Sequence, residues 1–108
     1  MATSKIPSTY DSGWKTLSTT SQTGSLRYRK IGKVVYIEGS GITATHNIVL
    51  GTMPEGCRPA YRHTVPISFP VTFNGYVNFT TNGDFAPTFQ SGTTTTEYLY
   101  FSTSYAVD

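Results

Sequence analysis

Two histidines, six carboxylates and a single cysteine are the side chains that could carry acid–base, metal or nucleophilic chemistry in this 108-residue chain. His46 and His63 could ligate a metal or move a proton, but neither has a carboxylate or cysteine at a recognisable ligand spacing. They read as strand-end or surface residues, and neither a metal nor any other cofactor is expected. Glycoside hydrolysis needs two carboxylates held ~5 to 10 Å apart. Asp11, Glu38, Glu55, Asp84, Glu97 and Asp108 are scattered outside any such motif. Gly39-Ser40-Gly41 lacks the Gly-x-Ser-x-Gly spacing of a nucleophile elbow, and no helix follows it. Arg58 could lower the thiol pKa of its neighbour Cys57, but no partner base is evident. These residues describe a non-enzymatic protein with no catalytic set.

Binding chemistry is better represented. One Trp, eight Tyr and six Phe are many aromatics for this length. Most must fill the core, leaving two or three tyrosines as stacking faces. Around Tyr76, Asn78, Asn82 and Asp84, with Arg62 and His63 nearby, an aromatic ring meets amide, carboxylate and guanidinium groups. That combination makes paired hydrogen bonds to sugar hydroxyls. These six residues are the candidate saccharide-binding set. Asp84, directly after Asn82-Gly83, also has the plainer reading of a turn residue.

Composition bounds the partners. Charged residues make up 13% of the chain, and Thr, Ser, Gly and Tyr supply most of the polarity, which suits a neutral ligand. The net charge of +2 is concentrated only in Arg27, Arg29, Lys30 and Lys33. These cations alternate with apolar residues as on the outer side of strands, so nucleic-acid binding is not expected. A lone cysteine excludes an intrachain disulfide framework and fits folding in a cytoplasm. No apolar run approaches the ~18 residues of a membrane span, and the first residues have no apolar signal core, so membrane insertion is not expected.

The elements that must position these groups are strands. Gly, Pro and Thr recur too often for any helical stripe. Lys33 to Gly39 is β-branched and aromatic and reads as a central strand, paired with Leu26 to Lys30 through an Ile31-Gly32 connection. Further strands are expected at Trp14 to Ser18, His46 to Leu50, His63 to Phe69, Tyr76 to Thr81, Phe85 to Phe89 and Tyr98 to Tyr105. Asn82-Gly83 signals a hairpin, and Gly92 to Thr96 reads as a loop running into the last strand. Val77 and Phe79 are expected to lie on opposing or paired faces with Tyr98 and Tyr100, and Trp14 to share a face with Leu17. The fold expected is all-β, an antiparallel β-sandwich or β-barrel of about 7 to 9 short strands, the prolines confining some strands to edges.

Three segments in order carry a resemblance. They are Gly13-Trp14-Lys15-Thr16-Leu17, the hairpin Leu26 to Gly39 with its Arg29-Lys30-Ile31-Gly32-Lys33-Val34-Val35-Tyr36 core, and Leu50-Gly51-Thr52-Met53-Pro54-Glu55-Gly56-Cys57-Arg58-Pro59. This arrangement resembles the C-terminal head domains of baseplate and tail-fibre receptor-binding proteins from phages of Gram-positive bacteria, over roughly the first half of the chain. The resemblance implies one receptor-binding head over residues 1–108, with 1–12 as a linker from an upstream stem. It implies a homotrimer that binds a host cell-surface saccharide and other phage tail proteins. The location it implies is the virion, at the tail tip or baseplate, after synthesis in the bacterial host cytoplasm. Two alternatives stay open: a carbohydrate-binding accessory module of a cell-wall hydrolase, and a structural virion protein that binds only other virion proteins.

Overall fold

A computed structural model describes residues 10–21, 23–66, 75–89 and 97–107. Eight strands are present: β1 (Lys15–Leu17), β2 (Ser25–Ile31), β3 (Val34–Ala44), β4 (Gly51–Thr52), β5 (His63–Pro66), β6 (Gly75–Phe79), β7 (Asp84–Phe89) and β8 (Glu97–Ala106). They form two antiparallel four-stranded sheets, one in the order β1-β2-β3-β8 and the other β4-β7-β6-β5. The fold is therefore all-β, a two-sheet sandwich with no helix among the described residues. No helix in them is long and apolar enough to cross a membrane.

Strand β3 is central, as its β-branched run predicts, lying between β2 and β8. Its side chains alternate, with Val35, Ile37 and Gly39 buried and Tyr36 and Ser40 exposed. The register against β8 shifts between Ser40 and Ile42, where Gly41 takes a φ of 65°. That bulge inserts one residue, so Ile42 and Ala44 return to the core although the buried positions before it are odd-numbered. The β2–β3 ladder runs through Ile31↔Val34, so the connection is Gly32-Lys33 and not Ile31-Gly32. Gly32 has a φ of 59° and Lys33 is not in that region, the pattern of a type II′ hairpin turn.

The chain reaches and leaves the sandwich at this same turn. The Gly32 N–H donates to the Tyr10 carbonyl (2.7 Å), and the Val107 N–H donates to the Lys33 carbonyl (2.9 Å). Ser12 N–H bonds to the Lys30 carbonyl, and Asp11 bridges to Ile31, so residues 10–12 lie along β2. Residues 1–9 of the expected linker are outside the described set.

Several local expectations are corrected. His46 to Leu50 is not a strand: Asn47 sits at a φ of 60°, and its N–H turns to the Pro87 carbonyl (2.8 Å) while Ile48 N–H closes back on Thr45. The Leu50 N–H donates to the Phe85 carbonyl (2.8 Å), and the strand register with β7 begins at Gly51. In β8 the inward residues are Leu99, Phe101 and Tyr105, while Tyr98 and Tyr100 are exposed, so the latter do not face Val77 and Phe79 across the core. Trp14 and Leu17 are three residues apart along an extended chain and so take opposite faces. Leu17 packs against the core, whereas Trp14 is 39% exposed beside Arg27 and Arg29. The outer part of the expected His63 to Phe69 strand and the Gly92 to Thr96 loop fall outside the described residues.

Pro87 sits inside β7 without costing the sheet a ladder bond. Its carbonyl accepts from Asn47, so its nitrogen, on the same side of the strand, points away from β6. The core is aromatic at its centre, where Phe79 of one sheet stacks on Phe85 (4.9 Å) and meets Phe101 and Tyr105 of the other at 6.3 and 5.8 Å. The margin between β5 and β8 is bolted by His63 Nε2 against Thr103 Oγ1 at 2.7 Å. The Tyr105 hydroxyl donates to the Cys57 carbonyl at 2.6 Å.

Candidate functional site

The outer face of the β4-β7-β6-β5 sheet carries a cleft of about 310 Å³ lined by Asn47, Val49, Arg62, Asn78, Thr80, Asp84, Ala86 and Thr88, with Phe85 beneath. Its walls follow from strand alternation. Val77 and Phe79 are buried, so Tyr76, Asn78 and Thr80 point outward; Phe85, Pro87 and Phe89 are buried, so Asp84, Ala86 and Thr88 do the same. Ala86 lies opposite Asn78 in the ladder, and its small side chain leaves the hollow between its larger neighbours.

A directed hydrogen-bond chain crosses the face. Thr64 Oγ1 donates to Asn78 Oδ1 (2.9 Å), Asn78 Nδ2 donates to Thr88 Oγ1 (3.1 Å), and Thr88 Oγ1 donates to Asn47 Oδ1 (3.2 Å). Each amide oxygen accepts one of these bonds and keeps a second acceptor site, and beside it Asn47 and Asn78 bring N–H donors to the cleft. Asp84 supplies the opposite polarity. Its Oδ1 accepts from Thr52 Oγ1 at 2.6 Å, and a carboxylate retains further acceptor sites. Arg62 adds a guanidinium that forms no ion pair among the described residues. The cleft thus brings amide and guanidinium donors together with amide and carboxylate acceptors over an apolar floor.

Of the six residues nominated from sequence, Arg62, Asn78 and Asp84 line this cleft together. Tyr76 stands on the same face opposite Pro66 and Thr88, beside the lining. Asn82 occupies the exposed turn between β6 and β7 and does not line the cleft. In that turn Gly83 N–H bonds to the Thr80 carbonyl and Thr80 N–H to the Asp84 carbonyl. Gly83 takes a φ of 95°, so the hairpin closes through a longer loop than a two-residue Asn-Gly turn. His63 is not part of the set: its ring turns inward to Thr103 and packs edge-on against Tyr105 at 5.5 Å, and burial lowers its pKa. Asn47, Thr80 and Thr88 were not nominated. Strand alternation from Asn78 to Thr80 and from Asp84 through Ala86 to Thr88 is a usable signal for the latter two, but Asn47 is brought in by a turn the sequence hides.

His46, Asp11, Glu38 and Arg58 are engaged elsewhere. His46 Nδ1 accepts the Phe89 N–H at 2.9 Å, a structural cap on β7. Asp11 pairs with Arg29, whose hydrogen bonds hold the carboxyl down to about 2, and Glu38 pairs with Arg27. Arg58 does not activate Cys57; its Nε donates to the Met53 carbonyl, and burial pushes the thiol pKa up. Among the described residues no three His, Cys, Asp or Glu side chains gather closely enough to hold a metal. Asp84 is the one carboxylate among the described residues of the cleft lining.

No family model and no curated protein matches this sequence. A solved structure does match the fold: the head domain of phage bIL170, whose crystal structure was described under the question of a common fold for the receptor-binding domains of lactococcal phages. The match covers 87% of this chain and 96% of that one, with a TM-score of 0.59 and 20% sequence identity. This chain therefore has the fold of a phage receptor-binding head domain, nearly end to end.

Proposed function

We propose that this chain is a non-enzymatic host-recognition module of a phage tail, which binds a cell-surface saccharide in the cleft of the β4-β7-β6-β5 sheet. The observation that carries the reading is the prearranged polarity of that cleft on a scaffold shared with a phage head domain. A sugar hydroxyl is both donor and acceptor, so it needs both polarities within one site. Here the amide N–H groups and Arg62 supply donors, and Asp84 supplies acceptor oxygens. The groups are ordered before the ligand arrives, which lowers the entropy cost of binding. A lone carboxylate in the lining offers no second acid or base for hydrolysis, which favours recognition over cleavage.

In this reading the module works as a homotrimer at the tail tip or baseplate, in contact with other phage tail proteins. Weak contacts per protomer are multiplied there by valency. The test is a pull-down of the purified chain with host cell walls, followed by a glycan array. Retention that is competed by free glycan and weakened by Asp84→Ala supports the proposal. Retention indifferent to both would overturn the saccharide reading of the cleft, and absence of retention would assign the chain to a structural role.

A further inference from the structure

The opposite sheet holds a second hollow, about 330 Å³, lined by Trp14, Tyr36, Glu38, Ser102 and Ser104 over the backbone of Ile37 and Thr103. We infer that it is a second carbohydrate site, one that takes a neutral sugar ring. The ladder explains its shape. Tyr36 lies opposite Ser104 and Glu38 opposite Ser102, so two small residues on β8 dish the sheet beside one aromatic and one carboxylate side chain. Trp14 closes the other side. The Arg27 guanidinium lies over its ring, 4.3 Å from the centroid, and the ring remains 39% exposed.

The class of ligand follows from charge. Among the described residues every formal charge at the hollow is cancelled within the protein: Arg27 Nη2 pairs with Glu38 Oε1 at 2.6 Å, and Arg29 pairs with Asp11 through Nε to Oδ1 at 2.9 Å. An anionic group entering here would have to displace a carboxylate already in place. What is offered instead is an indole, a phenol, two serine hydroxyls and the free oxygen of a fixed carboxylate. Aromatic faces pack against the apolar face of a pyranose, while the hydroxyls and the carboxylate serve its equatorial groups. This inference rests on the host-recognition reading and adds a second contact on the opposite side of the sandwich. One head could then engage two separate glycan segments.

Trp14 is the only tryptophan in the chain, so its emission reports this hollow. The experiment titrates the full chain with glucose, galactose and N-acetylglucosamine as neutral probes and glucose 6-phosphate as an anionic one. Wild type, Asp84→Ala and Ser102→Leu are compared, with melting curves confirming that each is folded. The expected result is a saturable change in emission with at least one neutral probe. Its midpoint is unchanged in Asp84→Ala, and the response is lost in Ser102→Leu, which fills the hollow. Emission that responds to no neutral probe, or responds preferentially to the phosphate, overturns the inference. A response that persists in Ser102→Leu also overturns it. Loss of cell-wall retention in Asp84→Ala alongside a silent Trp14 would sink this second site and leave the first intact; the converse pattern would sink the first.

Discussion

One oxygen of Asp84 is committed to Thr52, which ties β4 to β7, while the carboxylate still has acceptor capacity toward the cleft. Asp84→Ala therefore acts twice. Loss of the Thr52 bond is expected to lower folding stability by about 1 kcal/mol and, under the proposed function, loss of the acceptor to weaken glycan binding by about 1 to 3 kcal/mol. Thr52→Val reproduces the first effect alone. Melting temperature and cell-wall retention measured on both variants separate the two, and equal retention in both would remove Asp84 from the site. His63 makes a different prediction. Burial lowers its folded pKa below the ordinary 6.5, so the unfolded chain binds the proton first as pH falls. Stability from the neutral ring is complete above pH 6.5 and declines as pH drops from there toward the folded value. The melting temperature is expected to fall on acidification between about pH 7.5 and pH 5, and more shallowly in His63→Gln. Parallel curves for the two proteins would assign the slope to other groups.

At the level of elements, the β6–β7 hairpin offers the clearest single-residue test. Gly83 combines a φ of 95° with crowding: a β-carbon there would lie 2.7 Å from the Met53 carbonyl and 2.8 Å from Arg58 Nε. Gly83→Ala is expected to cost about 1 to 3 kcal/mol, read as a shifted denaturant midpoint with an unchanged slope. The strands themselves were legible wherever one face is buried, because period-two alternation in β2, β3, β6 and β7 writes the core directly into the sequence. Legibility failed where that alternation is broken by backbone geometry. The Gly41 bulge resets the parity of β3, and Asn47 converts an apparent strand into a turn. The cleft was half visible for the same reason. Asn78 and Asp84 flank a recognisable hairpin, but Asn47 and Thr88 meet only through tertiary structure, and His63 faces inward on a parity that a short edge strand does not advertise.

For the whole molecule, Phe79 joins the two sheets through Phe85, Phe101 and Tyr105. Phe79→Ala is expected to remove about 3 to 5 kcal/mol, a large share of the roughly 5 to 15 kcal/mol typical of such a domain. Both sheets should then melt together, observed as coincident near-UV and far-UV transitions; separated transitions would show that the sheets are not one cooperative unit. The proposed homotrimer predicts a light-scattering mass three times the 11.8 kDa of the chain at micromolar concentration. A monomer of unchanged glycan affinity would move the reading toward an accessory module.

The convergence of Tyr10 and Val107 on the Gly32-Lys33 turn has a topological consequence. A domain whose two ends meet can be re-cut without altering its three-dimensional arrangement. Joining Tyr10 to Val107 by a short flexible linker and opening the chain at Asn82 should give a circular permutant with the same sheets. Inserted through those adjacent ends into a surface loop of an unrelated carrier, the sandwich would project outward without prising that loop apart.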